Sequence, residues 1–490
     1  MKNLTSNYIF NMLFNLMGVV FPIFTFTYAL RVIGAEGIGI VQFYESIISY
    51  VILFAALGVP IYAVREVSKY RNDKAKFHAT VMEILILYLS LSVIGYVVFG
   101  LIAIFVPEVN AHWLVFIIMS SELFFDVIGV SWYFNATEDF KYVAIRSFII
   151  RCALLALLFL VVKSKDDFIL YVIIHSGTVT LYAVANFWRF WQKEIRGNKL
   201  EMRLDIKRHI KPAIKIFALS CIAKVYINLD SVMLGFMTEN TMVGYYAVGI
   251  RLVRTGVCVV TAMGAAILPQ LVENYKEGNN ARLLEIAQKS IYYSVLIAMP
   301  LMAGTFFCAP QIVDIFCGEG YDASIRPLEF LAPIILFISI SQLIGNNILF
   351  AINKEHITIK VFFVGTIINV ALNCIFIPRY QANGAACSTL VGESIIAAIF
   401  LVCAKSTLGL RILTLTSLQF LVATGTMVGA LWAVSLLELS PVPFILLALI
   451  VAPLVYASSL YVMGNTIFKN KMTELLMKFR KRQGSEGIKG

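Results

Sequence analysis

The 490-residue chain is poor in charge, since only 14% of its residues are Asp, Glu, Lys or Arg while 60% are hydrophobic. A soluble domain usually has about 25% charged residues, so this shortage excludes an ordinary soluble enzyme. The eight cysteines include no CxxC pair and the five histidines are scattered, which argues against disulfides and zinc. Walker A, GxSxG and HExxH sequences are also absent, so no ATPase or hydrolase signature is present.

Long apolar runs take the place of charge. Runs of about 20–27 apolar residues are each long enough to cross a bilayer. They predict an all-α polytopic membrane protein of 14 transmembrane helices. The first run follows a single Lys without a small-residue cleavage site, which favours a retained span over a signal peptide. The predicted spans are 8–30, 39–64, 79–105, 112–135, 142–162, 168–190, 212–237, 242–269, 286–308, 327–352, 357–377, 384–404, 414–437 and 443–467.

Basic residues divide unevenly between alternate loops. One alternating set of loops and termini holds 30 Lys and Arg residues, and the other set holds only five. By the positive-inside rule, both termini are predicted to be cytoplasmic. The basic stretch Lys193–Lys211 is either a helix on the inner membrane face or a solvated loop. This stretch has no Phe, Tyr or Trp and the tail after Lys469 has a single Phe, so nucleic-acid binding is not indicated.

The chain reads as two halves. Segments Gly129–Lys163 and Gly345–Arg379 align without gaps at an offset of 216 residues, which indicates a repeat. Transporters with two such halves bind substrate between them, near the membrane midplane. We predict two six-helix lobes related by a pseudo-two-fold axis along the membrane normal. The predicted division is an N-lobe at 1–191, a basic linker at 192–211, a C-lobe at 212–405, two extra helices at 406–468 and a basic tail at 469–490.

Five basic residues lie well inside the predicted spans: Arg151, Lys215, Lys224, Arg251 and Arg254. A charge near the bilayer centre costs about 2.5–3.5 kcal/mol on insertion scales, so it rarely lies there without a function. From the helical rise, Lys224 lies about 18 Å deep, and Arg251 and Arg254 lie roughly 14–18 Å deep. Arg151 is about 14 Å from the cytoplasmic end of its span. Lys215 is close enough to the interface to be only an anchor.

Acidic residues also lie within the spans, and they allow two interpretations. In the first, they pair with the buried cations as interhelical clamps. In the second, a buried carboxylate exchanges a proton or a cation and couples transport to an ion gradient. His175 lies in a span too, where packing is favoured over a functional role. The ion-coupling candidates are Glu122, Asp126, Asp230 and Glu393, with Glu45 as a further acidic partner.

A series of motifs follows in a specific order along the chain. They are Arg31-Val-Ile-Gly34-Ala-Glu-Gly37 with Gly39; Trp132-Tyr-Phe-Asn-Ala-Thr-Glu138 into Lys141-Tyr142; Lys163 with Asp166-Asp167 and Tyr171; Asp230-Ser-Val-Met-Leu-Gly235 with Gly244-Tyr245-Tyr246; Asn353-Lys-Glu355; Ile377-Pro378; and Asn383-Gly-Ala-Ala386 with Glu393. With this order the chain resembles the Wzx-type polysaccharide flippases of the multidrug/oligosaccharidyl-lipid/polysaccharide exporter superfamily. The family usually has a Gly in the turn that here reads Asn135-Ala-Thr137.

The resemblance implies a function and a site. Such flippases move undecaprenyl-pyrophosphate-linked oligosaccharide units from the inner to the outer leaflet of the cytoplasmic membrane, by alternating access, for O-antigen, capsule or exopolysaccharide. We further predict H+ or Na+ coupling, no cofactor, no metal, a monomer, and contact with membrane lipids, the polysaccharide polymerase and the chain-length machinery. The resemblance also implies a cationic cavity, to which we assign Lys224, Arg251, Arg254, Arg151 and Lys215.

Three other functions compete with this prediction. A multidrug exporter on the same fold would favour an acidic or neutral cavity, which the buried cations contradict. A lipid II flippase shares the fold and a cationic cavity, so the sequence separates it only weakly. A membrane enzyme would need a large outer loop for catalytic groups, and the longest predicted outer loop, Ala309–Arg326, is too short. We therefore predict a transporter and not an enzyme.

Overall fold

The computed structural model describes residues 2–196, 204–411 and 414–473. The side chains of residues 2–16, 19–20, 218–220, 222–224, 263 and 265–266 lie outside this description. The described ranges are almost entirely α-helical and contain no β-strand. Within them, 11 helices are long and apolar enough to cross a membrane. The predicted all-α polytopic membrane fold is confirmed, whereas the number of 14 spans stays a prediction.

The contacts divide the chain into two compact units, Met1–Ala247 and Val248–Gly490. In the first unit, α1 packs against α3, α5, α7 and α9, and α8 packs against α5 and α7. The lobes at 1–191 and 212–405 stay a prediction. The helices of the first unit are α1 Lys2–Ala56, α2 Val59–Lys69, α3 Lys74–Phe105, α4 Pro107–Asn110, α5 Trp113–Ile128, α6 Ser131–Ala136, α7 Phe140–Val161, α8 Phe168–Phe190 and α9 Lys207–Met237.

Glycines of the first motif explain how α1 is built. Gly34 has φ +86°, a left-handed value that breaks α1 between the first two predicted spans. Gly39 has no room for a side chain, since a Cβ there would lie 1.7 Å from the Asn240 carbonyl oxygen. A Cβ on Gly244 would likewise lie 2.0 Å from the Ala35 carbonyl oxygen. Backbones therefore touch here, which only glycine permits.

Two predicted spans of the first unit are interrupted. The span at 39–64 breaks at Leu57 and Gly58, which have φ +46° and +74°. The chain then continues as the short helix α2, with a proline in its first turn. The span at 112–135 breaks between α5 and α6, where Val130 has φ +38°. Each break ends one helix and starts a short one with a new direction for its side chains.

The second unit holds the rest of the chain and begins within α10, Asn240–Lys276. Gln381, with φ +51° and ψ −126°, breaks α15 between two predicted spans. Phe420, Met427 and Phe444 belong to a buried core in which α16 and α17 pack with α11. The helices that follow are α11 Asn280–Phe307, α12 Ala309–Cys317, α13 Ile325–Leu331, α14 Ile334–Gln342, α15 Glu355–Leu408, α16 Leu415–Ser435 and α17 Pro441–Val462.

The basic linker at 192–211 and the basic tail at 469–490 are only partly described. Residues 197–203 of the linker and 474–490 of the tail lie outside the described residues. The described ends of the linker are held by polar contacts. Tyr133 donates to Glu194 Oε1 at 2.6 Å, and the Asp205 amide donates to Glu83 Oε1 at 2.6 Å. Residues 466–473 are helical.

Candidate functional site

Arginines and tyrosines alternate along α7 and α8 in the first unit. The Arg189 guanidinium lies 4.2 Å from the Tyr142 ring centroid, and that of Arg146 lies 4.4 Å from the Tyr182 centroid. Arg151 Nε donates to the Tyr182 hydroxyl at 2.8 Å. We call Arg189, Tyr142, Arg146, Tyr182 and Arg151 the arginine–tyrosine ladder. From the start of α7, Arg146 lies about 9 Å and Arg151 about 17 Å along the helix.

Arg146 keeps its charge among neutral groups. Its guanidinium donates to Asn186 Oδ1 and, at 3.0 Å, to Ser147 Oγ. The buried Nε has no hydrogen-bond partner, and Arg146 makes no ion pair within the described part of the chain. Aromatic faces attract a cation without neutralising it. The ladder can therefore present positive charge to an anion.

Arg189, at one end of the ladder, contacts a carboxylate. Asp139 lies between α6 and α7, where it accepts from Arg189 Nη2 at 2.7 Å and Lys193 Nζ at 3.2 Å. Burial alone would raise the pKa of Asp139, but these two hydrogen bonds outweigh it and lower the pKa below its usual range. Asp139 is therefore ionised at neutral pH and balances part of the charge at this end.

Acidic residues gather elsewhere in the first unit. Glu122 Oε1 accepts from Ser176 Oγ at 2.7 Å, and Asp126 accepts from the Tyr88 hydroxyl. Next to Ser176, His175 Nε2 lies 3.8 Å from Glu45 Oε2. We call Glu45, Glu122, Asp126 and His175 the acidic cluster. Four helices, α1, α3, α5 and α8, contribute its members and their partners. Within the described residues, no three His, Cys, Asp or Glu side chains lie close enough to hold a metal ion.

The other predicted residues of the first unit are found on α9. Asp230 is buried and accepts from the Tyr246 hydroxyl at 2.9 Å. Lys224 lies in α9, but its side chain is outside the described residues. Lys215 is exposed and lines a cavity of about 420 Å³ together with Arg65, Lys69 and Arg208. Lys215 thus lies in a basic pocket of α2 and α9 residues.

In the second unit, the predicted cations follow one another on α10. Arg251 is half-buried and Arg254 is exposed. Three residues separate them, so both lie on one helix face. They are about 17 Å and 21 Å from the start of α10. Glu393 is buried on α15, a helix that also buries Asn369 and Asn373, and Asn373 Nδ2 donates to Asn369 Oδ1 at 3.2 Å.

The predicted sites omit three residues that the structure brings into these groups. Arg146 lies near the start of the predicted span 142–162 and is not among the predicted site residues, although Tyr142 one helical turn before it is a signal for a cation–ring pair. Tyr182 is the residue that joins Arg146 to Arg151. His175 was predicted to be a packing residue, yet it faces Glu45 in the acidic cluster. Contacts between distant helices define all three, and a single sequence does not show such contacts.

Comparisons with known proteins show which protein families the chain is similar to. Residues 4–275 match the family described as "Polysaccharide biosynthesis protein", and residues 216–375 match the MatE family. The protein named "Putative O-antigen transporter" from Escherichia coli (strain K12) is 22% identical over 380 residues. This match covers 78% of the present chain and 91% of that protein.

Two solved structures share the fold. The lipid II flippase MurJ in an inward closed conformation matches with a TM-score of 0.75 at 15% identity, covering 93% of this chain and 98% of that one. The inward-facing conformation of a multidrug resistance MATE family transporter of the MOP superfamily matches with a TM-score of 0.62 at 14% identity, covering 82% and 98%. At such identities the likeness establishes the fold alone.

The family match spans more than half of the chain, and it includes α7, α8 and α9 with their buried polar residues. The structural matches agree with the all-α membrane fold that the apolar runs predict. The resemblance stated from the motifs is thereby confirmed at the level of the family. The chain belongs to the polysaccharide biosynthesis protein family and has the fold of the multidrug/oligosaccharidyl-lipid/polysaccharide exporter superfamily.

Proposed function

We propose that the protein is a flippase for lipid-linked oligosaccharides. It moves undecaprenyl-pyrophosphate-linked repeat units from the inner to the outer leaflet of the cytoplasmic membrane, for O-antigen, capsule or exopolysaccharide. Membership of the polysaccharide biosynthesis family supports this substrate class. The relative named as an O-antigen transporter, which matches over most of both chains, supports it as well.

One observation carries the proposal: the half-buried Arg146, inside a membrane-spanning helix, is held only by neutral groups in the described structure. An uncompensated charge at this depth is costly, so it is kept for a function. Arginine binds phosphate oxygens through two parallel N–H groups. A pyrophosphate head group would supply the missing negative charge, which an organic cation cannot do.

The ladder suggests how the head group is received. The rings of Tyr142 and Tyr182 hold the Arg146 guanidinium in place, and it keeps N–H groups beyond those that donate to Asn186 and Ser147, so little side-chain order is lost on binding. Successive arginines then offer the pyrophosphate a path of positive charge from the start of α7 toward the midplane. The lipid tail stays in the bilayer while the head group crosses. We assign the same anion-binding chemistry to Lys224, Arg251, Arg254 and Lys215.

We assign ion coupling to the carboxylates. Glu122 and Asp126, with Glu45 and His175 close by, provide titratable groups on four packed helices of one unit. Protonation or Na+ binding there would change the attraction between these helices and favour one conformation over the other, which is what alternating access requires. Asp230 and Glu393, both buried, are further coupling candidates.

The remaining properties follow from the proposed role. The protein acts in the cytoplasmic membrane with both termini in the cytoplasm, as a monomer, without a cofactor and without catalysing a chemical reaction. It hands its cargo to the polysaccharide polymerase and the chain-length machinery on the outer side. These assignments rest on loop charges and on the proposed function.

Deletion of the gene tests the proposal. We expect undecaprenyl-linked oligosaccharide to build up in the cytoplasmic leaflet while surface glycan is lost, with rescue by the wild-type chain. The accumulated lipid also identifies the sugar. Unchanged lipid-linked oligosaccharide together with new sensitivity to cationic drugs would contradict the proposal and favour multidrug export. Accumulation of lipid II instead would assign the protein to the lipid II branch of the fold.

A further inference from the structure

A second basic site lies apart from the ladder, at the junction of α2 and α9. Its cavity of about 420 Å³ is lined by Arg65, Lys69, Arg208 and Lys215, with Glu66 as the one acidic residue. The break at Gly58 creates it, because α2 turns away from α1 and presents Arg65 and Lys69 toward the first turns of α9. We call this cavity the basic pocket.

The carboxylates near the basic pocket are already engaged. Glu66 Oε2 lies 2.5 Å from Lys69 Nζ. Glu83, buried behind the pocket, accepts from Arg208 Nε at 3.0 Å and from His209 Nε2 at 2.8 Å. Within the described residues, neither Arg65 nor Lys215 makes an ion pair. Two cations therefore face one recess without a counter-ion, which favours an anion there.

An apolar groove of about 550 Å³ lies along the same helices. Residues of α1, α3 and α9 line it, among them Tyr50, Phe54 and Val98. α9 lies antiparallel to α1 beside this groove, since Tyr50 OH donates to the Val225 carbonyl at 2.7 Å and Phe54 packs on Phe217 at 5.5 Å between ring centroids. The next residue toward the pocket, Ile216, lines the basic pocket.

The groove and the basic pocket are thus neighbours. Leu57 lines the groove and Tyr62 lines the pocket, and only Gly58 and the first turn of α2 lie between them in the chain. A lipid phosphate has the same two parts, a compact anion joined to a hydrocarbon chain. We propose that the basic pocket binds the phosphate or diphosphate of a membrane lipid, whose chain occupies the groove. The chemistry fits both the polyprenyl diphosphate of the proposed cargo and an anionic phospholipid.

Binding by the purified full-length chain in detergent tests this site, with native mass spectrometry as the readout. The probes are a polyprenyl diphosphate and phosphatidylglycerol. Arg65→Gln with Lys215→Gln removes the two cations without a partner and leaves the Glu83 contacts intact. The matched control is Lys74→Gln with Lys211→Gln, which removes equal charge from exposed positions on α3 and α9 that do not line the pocket.

We expect the pocket variant to bind the lipid phosphates at least about fivefold more weakly than the wild type, and the control to bind like the wild type. Equal binding by both variants, whether retained or lost, overturns the proposal. Stronger competition by polyprenyl diphosphate would identify the cargo lipid as the occupant, and equal competition would identify bulk anionic phospholipid. Size-exclusion profiles and melting temperatures confirm that each variant is folded.

A third variant tests the groove. Val98 lines the groove and its side chain is 37% exposed, so Val98→Trp fills part of the groove. It should weaken binding of the two lipids while leaving competition by inorganic pyrophosphate unchanged, and unchanged lipid binding would overturn the assignment of the chain to the groove. These measurements need no transport. A protein that bound these lipids but transported no oligosaccharide would still give the expected binding results. Failure of the lipid-binding proposal and failure of the proposed function are therefore distinguishable.

Discussion

The acidic cluster and the arginine–tyrosine ladder share α8 but hold charges of opposite sign. Ser176 on α8 donates to Glu122, and Asn186 on the same helix accepts from Arg146. Ten residues separate these two contacts, a distance of about 15 Å. Neither Glu122 nor Arg146 makes an ion pair in the described part of the chain. The fold keeps these opposite charges apart instead of neutralising them.

This separation bears on the two interpretations of the buried charges. An interhelical clamp would bring a carboxylate and a cation together, as Asp139 and Arg189 do at the end of the ladder. Glu122 and Arg146 instead have a hydroxyl and an amide as partners. The Arg146 guanidinium, which has only neutral hydrogen-bond partners, stays available for an anionic ligand, and Glu122, whose hydrogen-bond partner is a hydroxyl, stays available for a mobile ion. The comparison therefore favours anion binding at the ladder and cation binding at the acidic cluster.

The largest effect is expected from removing charge in the ladder. Arg146→Gln with Arg151→Gln should reduce surface glycan at least about 100-fold at normal protein abundance, because each lost charge-assisted hydrogen bond to phosphate costs about 1.5–3 kcal/mol. The measurement is surface glycan in the deletion strain. Lys141→Gln, at an exposed position on the same helix, is the control and should complement fully. Wild-type glycan with the double variant would remove the ladder from the mechanism.

A smaller effect is expected in the acidic cluster. Glu122→Gln keeps an acceptor for Ser176 but cannot exchange a proton or bind Na+, so gradient-driven transport should fall about tenfold while transport without a gradient is unchanged. Vesicles with and without an imposed ion gradient provide the measurement. The exposed Glu108→Gln on α4 serves as control. If Glu122→Gln kept the full response to the gradient, coupling would have to be assigned to Asp126, Asp230 or Glu393.

A single hydroxyl sharpens the comparison within the ladder. Tyr182→Phe retains the ring under Arg146 but removes the oxygen that accepts from Arg151, so transport should fall about fivefold. Tyr142→Phe is matched to it, since its hydroxyl donates to the Ala185 carbonyl and not to an arginine. We expect the Tyr142 variant to transport at the wild-type rate. Equal losses in both variants would indicate that the tyrosines act only through packing.

The smallest effect is expected at the end of the ladder where Asp139 contacts Arg189. Asp139→Asn should cost about 0.5–1 kcal/mol of unfolding free energy at neutral pH, since the pair is partly exposed. Because the pKa of Asp139 is lowered in the fold, its contribution is present above the unfolded pKa of about 3.9 and is lost as pH falls through the folded value. The melting temperatures of wild type and variant should begin to converge below about pH 4 and should be equal once the pH is below the folded pKa of Asp139. A difference that persists there would show that charge is not the cause.

Much of the fold is predictable from the sequence because membrane helices are long, continuous apolar runs. Apolar length identifies the helices, and Gly34 marks a break that only a residue tolerant of positive φ adopts easily. Arg151 and Asp230 could be singled out because charge in an apolar run is rare. These signals are local, so one sequence contains them.

The sites were less predictable because they depend on tertiary contacts. Arg146 lies in the second turn of α7, which begins at Phe140, two residues before the predicted span. Its role becomes visible only when α8 brings Tyr182 and Asn186 beside it. The basic pocket likewise requires the break at Gly58, which redirects Arg65 toward Lys215. Nothing in the spacing of these residues indicates that they meet.

Reconstitution tests the central claim most directly. Purified wild-type chain and the Arg146→Gln/Arg151→Gln variant would be placed in vesicles that contain undecaprenyl-pyrophosphate-linked oligosaccharide, and its appearance in the opposite leaflet would be measured. We predict translocation by the wild type and none above protein-free vesicles by the folded variant. Translocation by the variant at the wild-type rate would contradict the claim that these arginines receive the anionic head group.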